Sequence, residues 1–367
     1  MPILTELAES LPATVPFVGP ETQERANGAA FKARLGANES VFGPSPRAAA
    51  AMAQAALDCW QYGDPENHDL KHALAAFHDV EPENIVVGEG IDSLLGVLVR
   101  LIVDKDTPVV TSLGAYPTFN FHVAGFGGAL KTVPYRDDAE DPVAIAEAVA
   151  AHNAPLAYFA NPDNPMGSWH DAATIARLID AMPEQSLLCL DEAYCDFAPE
   201  GTLPLLDVSE KRVIRMRTFS KAYGMAGARV GYAIGHRDPI NAFNKVRNHF
   251  GVNRIAQAGA LAALADQEWL NHVIGEVHQA NAAIAEIARA NGLTPLETAT
   301  NFVTIDCGHD GDFAKALVGE LGKRGVFLRM PFVAPQNRCI RISSGTDDDL
   351  AVLADALPEA LTACVSG

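Results

Sequence analysis

A lysine sits among small and aromatic residues in Thr218-Phe219-Ser220-Lys221-Ala222-Tyr223-Gly224, with one apolar run before it and another beginning at Val230. Desolvation in such a setting favours the neutral amine, which can condense with a carbonyl. The hydroxyls of Thr218 and Ser220, with Arg229 eight residues past the lysine, have the chemistry to bind a phosphate beside it. The same stretch also reads as a strand-end turn with an incidental basic pair. Upstream, Leu188-Cys189-Leu190-Asp191-Glu192-Ala193-Tyr194 is an apolar run ending in an acid. Ligands of open α/β sheets bind outside the carboxyl ends of strands, which suits Asp191, although a helix-start acid is the plainer reading. In Ala160-Asn161-Pro162-Asp163-Asn164-Pro165-Met166-Gly167, two Asn-Pro steps force a turn. The glycines of Gly88-Glu89-Gly90-Ile91-Asp92-Ser93 let backbone N–H groups approach a phosphate where a helix begins; Asp92 reads equally well as a helix cap. Tyr116, in Gly114-Ala115-Tyr116-Pro117-Thr118-Phe119, offers a flat ring for stacking, whereas Phe119 reads as core. Arg341 carries a fork suited to a carboxylate, with a structural salt bridge as the alternative. His68 and His72 lie one helical turn apart, but no third ligand is near and Lys71 adjoins them, so no metal site is expected.

Taken together, these segments resemble the fold-type I, class I/II aminotransferases that use pyridoxal 5′-phosphate, and especially their histidinol-phosphate aminotransferase group. The pattern Ser220-Lys221 followed by Ala226-Gly227, Arg229 and Gly231 is similar to the family's Schiff-base motif, without a gap. The resemblance makes Lys221 the Schiff-base lysine, with Thr218, Ser220 and Arg229 at the cofactor phosphate. It implies that Asp191 lies against the ring nitrogen, where a carboxylate keeps the ring protonated and electron-withdrawing. Tyr194 and Asn164 are then partners of the ring's O3′, and Tyr116 is the stacking ring. Gly90, Ile91 and Asp92 lie under the phosphate, and Tyr62 reaches the phosphate of a neighbouring subunit's cofactor, which implies a homodimer. Met166 departs from the usual threonine. Gly36-Ala37-Asn38-Glu39-Ser40 resembles a substrate-side segment, as does Pro16-Phe17-Val18-Gly19, in which Phe17 replaces a tyrosine. By the same resemblance Asn38, Phe17 and Arg341 bind substrate, Arg341 gripping a carboxylate and Arg329 a distal anionic group.

Elements must hold these residues in place. Short apolar runs at 85–88, 108–112, 155–160, 186–190, 213–217 and 229–234 read as strands. Stretches with helical periodicity at 47–59, 92–103 and 171–181 alternate with them. Apolar strands without polar alternation, joined by helices, indicate a mostly parallel sheet covered on both faces. The fold class is therefore α/β. A large α/β/α domain is expected over 38–245. A smaller α+β domain takes 1–37 plus 246–367, with helices at 257–291, 312–324 and 347–362 and strands at 302–305, 326–329 and 339–343.

The chain of 367 residues suits two such units. Its formal charge of −19 argues against nucleic acid or an anionic membrane as partner, so an anionic substrate needs a local basic pocket. The six cysteines form no C-x-x-C pair and read as reduced thiols. The first twenty residues have no basic n-region, and no apolar stretch approaches the ~18 residues of a membrane span. A cytoplasmic protein is expected. Its activity is transfer of an amino group from an amino acid or amino-alcohol phosphate to a 2-oxo acid, with histidinol phosphate the leading donor. An aromatic or other amino acid, a decarboxylation or elimination on the same cofactor, and a non-catalytic cofactor-binding regulator remain alternatives.

Overall fold

Unbroken runs of valine, isoleucine, leucine and alanine form the strands, and alternate residues of each run serve opposite faces. The computed structural model describes residues 3–13 and 18–366. Its larger sheet has seven strands, in the spatial order Ile85–Gly88, Gly231–Gly235, Val213–Thr218, Leu187–Asp191, Leu156–Ala160, Pro108–Ser112 and Ala129–Val133. Gly231–Gly235 pairs antiparallel with both neighbours; every other pairing is parallel, so six strands point the same way. Val86, Tyr158, Cys189 and Met216 pack on one face with the buried residues of helices Ile91–Ile102 and Pro117–Gly125. Ala157, Phe159, Leu188 and Leu190 pack on the other with helices Pro142–His152 and Ala172–Ala181. Beside them, Val87 and Ile234 meet helices His68–His78 and Arg254–Leu264.

A second core lies under the antiparallel strands Thr294–Pro295, Phe302–Asp306 and Cys339–Ser343 and the short parallel pair Ala33–Arg34 and Val326–Phe327. Helices Gly311–Lys323 and Asp347–Ser366 cover it. The 24-residue helix Gln267–Ala290 joins the two cores. Its Leu270, Val273 and Val277 enter the first, and its Ala280, Ile284 and Ala288 the second.

Three features differ from the sequence expectation. The strand Ala129–Val133 was not anticipated; it is short, half-buried and interrupted by Lys131 at the sheet edge. The helix expected over 257–291 is two, broken where Asp266 accepts a hydrogen bond from Trp269 N at 3.4 Å and starts the second. Helix Arg254–Leu264 lies past residue 245, yet its Ala256, Ala260 and Ala263 join the core of the larger unit beside Ala48, Leu70 and Leu74. All six cysteines are free, with Cys59 exposed and Cys364 partly so.

Candidate active site

The run of neighbouring strands reverses direction between Pro108–Ser112 and Leu156–Ala160. Their pairing stops at Val110 and Ala157, so the carboxyl ends part and a crevice opens there. The carboxyl ends of five parallel strands and the segments that follow them enter it, and they carry Asp92, Tyr116, Asn164, Asp191 and Lys221. The cavity has a volume of about 500 Å³ and also reaches the smaller unit at Asn38, Arg329 and Arg341.

Lys221 Nζ donates to the backbone oxygen of Asn38 at 2.9 Å and lies 5.4 Å from the centre of the Tyr194 ring. Asn38 can turn its chain there because it adopts a left-handed backbone, φ 54°. Its side chain is spent on both sides, Oδ1 accepting from Ser343 Oγ at 2.8 Å and Nδ2 donating to Tyr194 Oη at 3.1 Å. Asn164 Nδ2 also donates to that phenol oxygen, at 3.4 Å. With two donors on its oxygen, the Tyr194 O–H is left to donate to a ligand. Asp191 ends its strand buried. One of its oxygens accepts from Tyr158 Oη at 2.7 Å and the other from Ala193 N at 2.9 Å. Burial pushes its carboxyl up to about 6, while these two donors pull it down and hold the anion.

At the crevice's other wall, Gly90 has φ +82°, and a side-chain carbon there would stand 2.5 Å from Arg229 Nη2. No side chain caps helix Ile91–Ile102, so its first N–H groups are left for a ligand. Asp92 is thus not a helix cap; its carboxylate accepts from Tyr116 Oη at 2.9 Å. Arg229 Nη1 donates to Ser220 Oγ at 3.4 Å, and Thr218 Oγ1 accepts from Ser220 N at 3.0 Å. A bare glycine corner, an uncapped helix start, two hydroxyls and a guanidinium suit a phosphate. Asp191, Tyr194 and Asn164 suit a protonated pyridine with a ring oxygen, and Lys221 an aldehyde. The residues present therefore fit pyridoxal 5′-phosphate.

The third wall comes from the smaller unit. Arg341 is half-buried, donates to Asn164 Oδ1 and, at 3.3 Å, to Gly36 O, and has its Nε without a partner among the described residues. Burial lowers its guanidinium to about 10, which leaves it charged at neutral pH. Arg329 pairs with it through the backbone and donates to Val18 O at 3.0 Å. Phe17 lies outside the described residues. Tyr62 does not line the cavity; it is 79% exposed and packs on Phe250, ring centres 4.8 Å apart. The His68 and His72 rings pack tilted at 31°, centres 4.0 Å apart, and no group of three or more metal-ligating side chains occurs among the described residues.

Tyr158 escaped sequence reading because it hides within an apolar strand. Its only signal is a hydroxyl that must find a partner once buried. Phe119, stacked on it at 4.7 Å, is core, as expected. Ser343 and Glu140 were also missed; the second lies on a loop that carries no motif.

The family model described as aminotransferase class I and II matches residues 32–357. Histidinol-phosphate aminotransferase 2 of Carboxydothermus hydrogenoformans is 33% identical over 347 residues, 92% of this chain and 93% of that protein. The aromatic amino acid aminotransferase of Thermobifida fusca is 35% identical over 360 residues, 95% of this chain and 94% of the other. Among solved structures, histidinol-phosphate aminotransferase from Sinorhizobium meliloti in complex with pyridoxal-5′-phosphate is 54% identical, with a TM-score of 0.96 over 98% of each chain.

Proposed function

Since the chain belongs to the aminotransferase class I and II family, we propose that its amino donor is histidinol phosphate and its acceptor a 2-oxo acid. As a member it is an enzyme, a transaminase, with pyridoxal 5′-phosphate as cofactor. When bound, the cofactor supplies an electron sink for the carbon that bears the substrate's amine. Lys221 Nζ, freed by that amine, would serve as the general base that takes the proton from this carbon and as the general acid that delivers it to the cofactor carbon the lysine had held. Asp191 keeps a proton on the ring nitrogen, and Tyr194 with Asn164 orients the ring oxygen. Tyr116 covers one face and excludes water. Thr218, Ser220, Arg229 and the backbone of Gly90, Ile91 and Asp92 hold the phosphate. Asn38 places Lys221 and Tyr194 through the hydrogen bonds given above.

The observation that carries the donor assignment is a second cationic pair, Arg341 with Arg329, distinct from Arg229 and set in a cavity on a chain of charge −19. Two guanidiniums suit a phosphate dianion better than a single carboxylate. Relatives that act on histidinol phosphate support this reading. A second reading, an aromatic amino acid donor, is favoured by the Thermobifida fusca relative and by the apolar wall of Leu113, Phe332 and Val333. The test is to add each donor alone and follow the cofactor's absorbance band as its amine form builds up. Histidinol phosphate should convert the band with kcat/KM at least about tenfold above any aromatic amino acid. Faster conversion by phenylalanine or tyrosine would reverse the assignment.

The cytoplasm and a homodimer with shared sites complete the proposal. Free thiols support the first, and no described helix is long and apolar enough to cross a membrane. The exposed aromatics Trp60, Tyr62 and Phe250 support the second.

A further inference from the structure

Where the strands Pro108–Ser112 and Leu156–Ala160 part, a carboxyl group replaces the lost sheet bonds. Glu140 accepts from Ser112 Oγ at 2.6 Å through one oxygen and from Ala160 N at 3.0 Å through the other. Both donors stand at the carboxyl ends that open the crevice. Asp163 lies beside it. One Asp163 oxygen accepts from Tyr135 Oη at 2.9 Å, and the other from Met166 N at 3.0 Å, which closes the turn that carries Asn164. Glu140 and Asp163 are 2% and 1% exposed. Tyr135 and Glu140 come from one loop, after the edge strand Ala129–Val133, so this loop reaches under the turn from outside the sheet. His170 Nε2 bonds Glu140 O at 2.7 Å and the backbone N–H of His170 donates to Asn161 Oδ1 at 2.8 Å, which fastens the same loop to the start of the turn.

Two carboxylates cannot both stay ionised side by side out of water, and such a pair retains a proton. Burial raises both groups, Glu140 well above the ordinary range. The proton belongs on Glu140, which donates to Asp163, because Arg341 and the Met166 and Tyr135 donors favour the anion at Asp163. The charged and titratable groups facing the pair are Tyr135, Tyr158, His170 and Arg341.

We propose that Glu140 and Asp163 share one proton as a hydrogen-bonded acid pair that positions Asn164, so that the grip of Asn164 on cofactor and on Arg341 depends on that proton. Loss of the proton sets two anions against each other beneath the turn and pushes the turn away from the ring. Glu140 touches neither substrate nor cofactor; it is a positioning residue. The proposal rests on the reading above that Asn164 holds the cofactor.

Cofactor dissociation constants, measured by titrating pyridoxal phosphate into cofactor-free protein from about pH 6 to about pH 10, test it. Wild-type affinity should fall on the alkaline side by about tenfold, the worth of one hydrogen bond. Glu140→Gln cannot ionise and still offers Asp163 a donor, so it should flatten that fall. Asp163→Asn, which removes the accepting anion, should weaken binding about tenfold at every pH. A second readout needs no cofactor. A carboxyl raised by folding binds its proton more tightly in the native state, so stability falls as pH rises from its unfolded value, about 4, towards its folded one. Glu140→Gln should make that slope in the thermal midpoint shallower, leaving the share that Asp191 contributes. A Glu140→Gln profile that tracks wild type in both measurements overturns the shared proton. Asn164→Ala separates the two readings. If it leaves affinity unchanged, Asn164 does not hold the cofactor and the pair has no positioning role, even where the stability slope responds. If it weakens affinity while Glu140→Gln still declines with pH, the pair alone is refuted.

Discussion

Asp191 shows how a single carboxylate is kept useful in a buried place. Its burial favours the neutral acid, and at about 6 the group stands close to neutrality. Tyr158 Oη and Ala193 N are what keep it ionised at neutral pH. A raised folded value also means that Asp191's contribution to the stability of the protein without cofactor falls as pH climbs from about 4 to about 6, then levels off. The anion, by contrast, is what a protonated ring needs, so cofactor affinity should drop as pH falls through about 6. Tyr158→Phe removes one of the two donors and raises the carboxyl further. We expect the midpoint of that drop to move upward and affinity at neutral pH to weaken by about tenfold or more, as for a hydrogen bond to a charged group. An unmoved midpoint in spectrophotometric titrations would detach Tyr158 from this role. Asp191 itself was legible, because an acid that ends an apolar run sits where sheets bind ligands. Tyr158 was not, since inside that kind of run a tyrosine looks like any other buried aromatic. Arg341 was legible by its motif, but its bond to Asn164 was not, for the two are 177 residues apart. Arg341→Lys keeps the charge but loses the fork, and KM for an anionic donor should rise by about tenfold or more, with a smaller change in kcat.

Elements turn these residues towards one crevice because six strands agree in direction and their loops leave from the same end. That much followed from unalternated apolar runs separated by helical stretches. What escaped was governed by neighbours rather than by local pattern. The edge strand Ala129–Val133 is half-exposed and carries a lysine, so its pattern is weak until Pro108–Ser112 pairs with it. The alanine-rich stretch after residue 254 hid a helix boundary, although Asp266 before Gln267 is a capping signal of the ordinary kind. The start of helix Ile91–Ile102 offers the clearest test at this scale. Gly90 holds φ +82° and ψ 171°, a conformation almost closed to residues with a side chain. Gly90→Ala should therefore cost roughly 1–3 kcal/mol of stability in denaturant titrations of the cofactor-free protein. It should also press on Arg229 and weaken cofactor binding by more than the stability loss alone explains. Equal cofactor affinity in the variant would show that the corner is a turn and nothing further.

At the scale of the whole molecule, an exposed aromatic named with the site does not line its cavity. Tyr62 is 79% exposed, beside Trp60 and Phe250, which are exposed as well. A tyrosine so placed can serve the chemistry only from a second copy of the chain. A two-fold dimer makes each such contribution reciprocal, every protomer lending Tyr62 to its partner's cavity. Mixing two crippled proteins separates this arrangement from its alternative. Lys221→Ala leaves a protomer without its amine, and Tyr62→Ala leaves one without its exported ring. In a hybrid dimer, the cavity with intact Lys221 receives the intact Tyr62 of the other protomer, and the second cavity carries both lesions. Unfolding and refolding an equal mixture should thus restore about a quarter of all cavities to full competence. Activity would rise above the mean of the two separately refolded variants. If Tyr62 acted within its own chain, every cavity with Lys221 would still lack it and mixing would restore nothing. Tyr62→Ala that matches wild type in cofactor affinity and activity would remove the residue from the site altogether, and leave the exposed aromatics as a surface for assembly alone.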